Sequence, residues 1–364
     1  MKASVVREYG KGFEIAEIDI AQPVGREVLL DVKASGLCHS DELAASYPIP
    51  GFPPPMVLGH EVAGIVTALG PEVTEFNVGD HVVGCLQAYC GICRTCQAGK
   101  PQLCRNPGAT ARGAGDASRL SENGTTVTQG MGLAGFAQQA LIHENQLVAI
   151  PAEVPWPQAA LLGCGVVTGA GALLNAANVS ASDTVVIIGT GGVGLNAING
   201  AVTAGVATIV AVDIADGKLE RARKFGATHT VNSTKGDPVA EVLAVTGGGA
   251  DAVFDFVGLA EVMTQAYQMV APGGGLYLLG ALDPTATMEV SGVEILNAKK
   301  KIQGVYLGST NAKRDIPLYV NLYLQGRFEL DALVSKEISL AEINEGYASL
   351  KNPEIARVVI TDLS

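Results

Sequence analysis

The chain has 364 residues, 48% of them hydrophobic, with a net charge of −12. That length suits two domains with sizeable cores, and the acidity argues against nucleic acid or an anionic membrane surface as partner. Its 45 glycines show no collagen-like period and fall in turns between apolar runs, as in a globular protein rich in tight turns. Residues Met1 to Ile15 include Lys2, Arg7, Glu8, Lys11 and Glu14 and lack the apolar stretch of a signal peptide. No uninterrupted apolar run approaches the ~18 residues of a membrane helix. A cytoplasmic location is expected, where thiols stay reduced and clustered cysteines bind metal more often than they pair.

About the first 150 residues read as short β-type runs divided by Gly and Pro clusters, a mostly antiparallel, barrel-like domain. Val28 to Val32, Glu61 to Leu69 and His81 to Cys85 are the clearest runs. Cys90, Cys93, Cys96 and Cys104 follow, spaced C-x2-C-x2-C-x7-C. Four thiolates at that density fill a tetrahedral zinc site and leave no position for substrate, so this lobe is expected to be structural. Three further candidate ligands are scattered, each beside a glycine: Cys38, His60 and Cys164. Three ligands leave one zinc position open, which is the mark of a catalytic site. Cys85 is expected to be a buried free thiol.

From residue 166 the rhythm becomes alternating strand and helix. Thr184 to Ile188, Thr208 to Asp213, Asp251 to Phe256, Gly275 to Leu279 and Ile302 to Leu307 read as buried strands. Gly191 to Ala204 and Lys218 to Phe225 read as helices between them. Alternation of this kind predicts a doubly wound parallel sheet, an α/β Rossmann domain. Gly189-Thr190-Gly191-Gly192-Val193-Gly194 matches G-x-G-x-x-G between a strand and a helix, and Asp213 ends the next strand 24 residues after Gly189. That context marks a dinucleotide site, with the pyrophosphate on the helix N-terminus. Asp213 is expected to accept hydrogen bonds from the adenosine ribose and to repel a 2′-phosphate, favouring NAD over NADP.

Taken together, these motifs are similar to those of the zinc-dependent medium-chain alcohol dehydrogenases of the liver type. The resemblance runs along nearly the whole chain. It is carried by Gly36-Leu37-Cys38-His39-Ser40-Asp41, Gly59-His60-Glu61-Val62-Ala63-Gly64, the cysteine lobe, Gly163-Cys164-Gly165 with Thr168-Gly169, the glycine fingerprint and Ile343-Asn344-Glu345-Gly346. It implies a GroES-like catalytic domain of residues 1–165 and 307–364, with the zinc lobe at 90–104, and an NAD-binding domain of residues 166–306. It also implies two Zn²⁺ per chain, one of them held by the Cys2His set for which alcohol dehydrogenases are known. The implied activity is NAD-dependent oxidation of primary medium-chain or aromatic alcohols to aldehydes, and the reverse, by zinc-assisted hydride transfer.

The resemblance further assigns roles residue by residue. Ser40 begins a proton relay, Asp41 orients His60, and Glu61 is a carboxylate behind the zinc. Arg357 reaches the pyrophosphate, and His39 stands where the family often has an arginine for the same phosphate. Thr168 and Lys218 belong to the cofactor site. Leu86, Gly130, Met131, Ala281 and Tyr306 line the substrate pocket with Ser40. Where the liver-type relay ends in histidine this chain has Leu43, so the relay is expected to stop short. A homodimer is implied through the Ile302 to Leu307 edge, with a homotetramer left open. The alternatives are a glutathione-linked formaldehyde dehydrogenase, which needs charged pocket groups, and a non-catalytic NAD-binding protein on the same fold.

Overall fold

The computed structural model describes residues 1–113, 115–280 and 285–364. It divides into two compact units. The first is Met1–Cys164 with Asn311–Gly326 and Leu330–Ser364, and the second is Gly165–Thr310 with Arg327–Glu329. The second unit thus begins within a residue of where the sequence places it, runs on to Thr310, and takes back a three-residue return.

The first unit is built on a seven-stranded sheet. Its order is Leu147–Ala149, His81–Gly84, Glu61–Leu69, Glu27–Gly36, Arg357–Asp362 and Val334–Ser339, with Gln139–His143 also pairing Glu27–Gly36. Nearly every residue of Glu27–Gly36 is buried, and alternate positions Val28, Leu30 and Val32 pack with Val62, Val66 and Ile142. A second sheet of six short strands runs from Glu14–Glu17 through Lys2–Val6 to Leu120–Glu122 and Asp19–Ile20. The C-terminal strand lies between Glu27–Gly36 and Val334–Ser339, so both ends of the chain build one unit.

The second unit carries six parallel strands in the order His229–Asn232, Thr208–Asp213, Thr184–Ile188, Ala250–Asp255, Val270–Leu278 and Lys301–Gly304. In chain order this is 3-2-1-4-5-6, the doubly wound arrangement whose switch point lies beside the first strand. Its β-branched runs are buried, with Val186, Val210, Val253 and Leu276 in one core, as a sheet covered on both faces requires. The last strand ends at Gly304, three residues short of the expected Leu307, because Leu307–Ser309 turns into a 3₁₀ helix.

Residues 156–177 form one continuous helical stretch through two π-helical turns. Its 22 residues are long and apolar enough to cross a membrane by length and composition, a feature the uninterrupted-run criterion overlooked because Gln158, Thr168 and Asn175 interrupt it. Of its most apolar window, 78% is packed inside the protein, the burial of a core helix.

Candidate active site

Strand register alone assembles most of the first site. Gly36 pairs with Glu61 on one side and with Val359 on the other. Cys38, His60 and Arg357 lie one or two residues beyond those pairs, so three neighbouring strands deliver them to one end of the sheet. Cys164 arrives from another direction, in the π-helical turn Leu162–Val166, a distortion often found at functional sites. The helix passes so close to the sheet that a Cβ on Gly163 would lie 1.9 Å from the Gly84 carbonyl oxygen. Glycine is the residue that lets the thiol in.

Donor atoms of Cys38, His60, Glu61 and Cys164 all lie within 4.8 Å of one another, and all four residues are buried. His60 Nε2 is 3.1 Å from Cys164 Sγ, while Nδ1 is 2.8 Å from Asp41 Oδ2. Asp41 is itself held by the Gly59 amide, which donates to Oδ1 at 3.1 Å. The carboxylate thus claims one ring nitrogen and turns the other toward the thiols, as ligating histidines require.

The buried groups of this site perturb one another strongly. Burial opposes charge on His60, yet Asp41 and Cys38 raise its pKa well above the ordinary value. The hydrogen bond from Cys164 lowers the Cys38 thiol well below its usual range. Cys164 is driven up by Cys38 and by burial. Burial pushes the Glu61 carboxyl up to about 7, with Cys38 and Asp41 adding to the rise against Arg357 and His60. Neither oxygen of Glu61 has a hydrogen-bond partner, although Arg357 Nη2 stands 3.4 Å from Oε1. Two sulfurs, an imidazole nitrogen and an orphaned carboxylate of this kind fit a borderline-soft divalent ion such as Zn²⁺.

The cysteine lobe is a second such group, and among the described residues these are the two close clusters of potential metal ligands. Sγ separations are 3.5 Å for Cys93–Cys96, 3.9 Å for Cys93–Cys104 and 3.6 Å for Cys90–Cys104. A tetrahedron with Zn–S of about 2.3 Å has edges of about 3.8 Å. The four thiols cannot all ionise unaided: Thr95 helps hold Cys93 at about 5, while burial and the neighbouring sulfurs push Cys96 up to about 12. Amides of Cys90 and Asn106 donate to Cys104 Sγ. The group fits zinc with every coordination position closed.

In the second unit the glycine fingerprint opens the helix Gly192–Thr203. No side chain caps that helix, and a Cβ on Gly191 would meet nothing within 4 Å. By contrast, a Cβ on Gly194 would sit 1.9 Å from the Gly189 carbonyl oxygen, so glycine is needed there for helix and strand to pack. The uncapped turn over open ground fits a pyrophosphate. Asp213 stands at the end of its strand, but its carboxylate is already engaged. Thr190 donates to Oδ2 from its amide at 2.8 Å and from its hydroxyl at 2.9 Å. The Ile214 and Ala215 amides donate to Oδ1 at 2.8 and 3.2 Å. The carboxylate expected to receive the ribose thus also anchors the glycine loop and the residues after its own strand.

Comparison with known proteins identifies the family. Residues 25–152 match the family model "Alcohol dehydrogenase GroES-like domain" and residues 192–324 match "Zinc-binding dehydrogenase". The chain is 39% identical over 367 residues to an NDMA-dependent alcohol dehydrogenase of Amycolatopsis methanolica, covering 99% of this chain and 98% of that protein. The chain belongs to the zinc-dependent medium-chain alcohol dehydrogenase family. It is also 33% identical over 372 residues to the S-(hydroxymethyl)glutathione dehydrogenase of Paracoccus denitrificans, covering 99% of each. The crystal structure of benzyl alcohol dehydrogenase from Acinetobacter calcoaceticus superposes with a TM-score of 0.92 at 36% identity, covering 99% of both chains.

For a member of this family, the remaining predicted residues fall as follows. His39, Ser40 and Leu43 are exposed on the helix His39–Ser46, which begins after Cys38. Leu86 and Met131 are half-buried in the first unit, and Gly130 is buried there. Tyr306 is exposed in the second unit, where Thr168 and Lys218 are half-buried. Ala281 lies outside the described residues. Arg357 is turned inward, with Nη1 donating to the Leu37 carbonyl at 3.4 Å as well as facing Glu61. The sequence reading missed Tyr347. Its buried hydroxyl donates to the Cys38 carbonyl at 3.3 Å, and its ring stacks on Phe13 with centroids 5.2 Å apart. Only its place beside the Ile343-Asn344-Glu345-Gly346 motif pointed toward it. The sequence reading also missed Thr190 as a partner of Asp213, since a fingerprint's variable positions carry no signal of their own.

Proposed function

We propose that this family member interconverts primary alcohols, medium-chain or aromatic, and their aldehydes, with zinc on Cys38, His60 and Cys164 and NAD as hydride acceptor. The observation that carries the proposal is the contrast between two metal-fitting groups. One consists of four thiols and closes on itself. The other joins two thiols to an imidazole held from behind by Asp41, and its fourth donor is the Glu61 carboxylate, which Arg357 can draw back to leave a coordination position for an oxygen ligand. Zinc in that place supplies Lewis acidity toward a hydroxyl or carbonyl oxygen, and NAD supplies the hydride acceptor.

The chain's own residues do the rest. Ser40, exposed two residues past a ligand, takes the proton leaving the alcohol. With Leu43 on the same helix instead of a histidine, that proton passes from Ser40 to water or ribose. Asp41 fixes the tautomer of His60. Glu61, backed by Arg357, gives the thiol-rich site a carboxylate that can close on the metal. Gly191, Gly192, Val193 and Gly194 present backbone amides to the pyrophosphate, and the carboxylate of Asp213 disfavours NADP. In the first unit, half-buried Leu86 and Met131 give a largely apolar reception to the carbon chain.

An alcohol panel followed by reduced-nicotinamide absorbance, with and without a chelator, tests this. Chelator-sensitive oxidation of benzyl or medium-chain alcohols without added thiol is expected. Turnover only in the presence of glutathione would instead favour the formaldehyde-adduct chemistry named for the Paracoccus relative. A second reading concerns the acceptor alone. The Amycolatopsis relative is named for dependence on NDMA, so alcohol oxidation here supported by NDMA without added NAD would point to a cofactor that stays bound through turnover.

A further inference from the structure

As a carboxylate, Asp213 offers about four lone-pair sites, and four protein donors occupy it. Three of them are backbone amides fixed by the glycine loop and by the strand end. The fourth is the Thr190 hydroxyl, the one donor able to rotate away. Thr190 is fully buried and Asp213 is 8% exposed. A hydroxyl displaced from this bond would be left inside the protein without its partner, at a cost comparable to a lost hydrogen bond.

We infer that the Thr190 hydroxyl competes with the adenosine ribose for Asp213 and so sets how tightly the cofactor is held. The inference rests on the NAD reading above. The ribose diol brings donors to an acceptor with no vacancy. It therefore gains Asp213 only by evicting Thr190 or by sharing a strained three-centre bond. Removing that hydroxyl while keeping the branched side chain empties one acceptor site without disturbing the amides around it. The same change deletes a buried hydrogen bond of the unliganded protein. Stability and cofactor affinity therefore move in opposite directions, which a purely structural role for Thr190 does not produce.

The test is calorimetric titration of NADH into zinc-loaded wild type, Thr190→Val and Thr190→Ser, with melting temperatures recorded on the same samples without NADH. Thr190→Val is expected to bind NADH ~3–10-fold more tightly while melting at a lower temperature. Thr190→Ser keeps the hydroxyl and is expected to match wild type in affinity. If wild type binds NADH and Thr190→Val binds equally or more weakly, the inference is overturned and the NAD reading stands. If wild type and both variants fail to bind NADH, the NAD reading falls and the inference falls with it.

Discussion

His60 shows how much one side chain depends on another. Its Nε2 can face Cys164 because Nδ1 is taken by Asp41. Asp41→Asn keeps the size but removes the charge that fixes the tautomer, and is expected to weaken zinc at this site ~10–100-fold. Competition with a chromogenic chelator measures it, and the cysteine lobe should be unaffected. Leu43 is exposed on the helix that carries Ser40. Leu43→His is expected to speed proton release and alter the pH–rate profile of alcohol oxidation. An unchanged profile would count against a relay that stops short. The grouping of Cys38, His60 and Cys164 was legible in the sequence because each sits in its own short glycine-marked motif. The pairs Glu61–Arg357, Tyr347–Cys38 and Thr190–Asp213 were not, since they depend on strand register and loop conformation. Arg357 is the clearest case: the resemblance implied a phosphate ligand, and only the register of the last strand shows that its guanidinium also faces Glu61.

Among the elements, the strand Glu27–Gly36 has two functions. One end leads to Cys38. At the other, Glu27 receives Arg112 at 2.6 Å and Arg119 at 2.7 Å, which pins the segment following the cysteine lobe. Burial alone would raise the Glu27 carboxyl, but the two arginines hold it at about 2. An unfolded glutamate titrates near 4.3, so the stability from this cluster is complete above that pH and is lost as the pH falls from there through about 2. Glu27→Gln is expected to cost about 3 kcal/mol at neutral pH, with the gap from wild type narrowing below about pH 4. Denaturant midpoints at the two pH values check this. Strands of the second unit were readable as β-branched runs of the right length, and Thr184–Ile188 and Thr208–Asp213 match residue for residue. The final strand was overread because Val305 and Leu307 continue the apolar pattern after the backbone has turned. Local hydrophobicity does not report where pairing ends.

For the molecule as a whole, the doubly wound sheet leaves Lys301–Gly304 as an edge strand with all four residues exposed. The neighbouring helix Gly292–Ala298 exposes Val293 and Leu296. An open edge beside apolar side chains is a template for pairing with another strand, and a second copy of this chain offers a self-complementary one. We therefore propose a homodimer through this edge. Light scattering is expected to report a dimer for wild type and a monomer for Ile302→Asp with unchanged far-ultraviolet circular dichroism. The broader account stands on one closed and one open metal group in the same unit, and elemental analysis of the purified chain tests it most directly. It predicts two zinc ions per chain in wild type and one in Cys164→Ser. A wild-type count of one or none would contradict it.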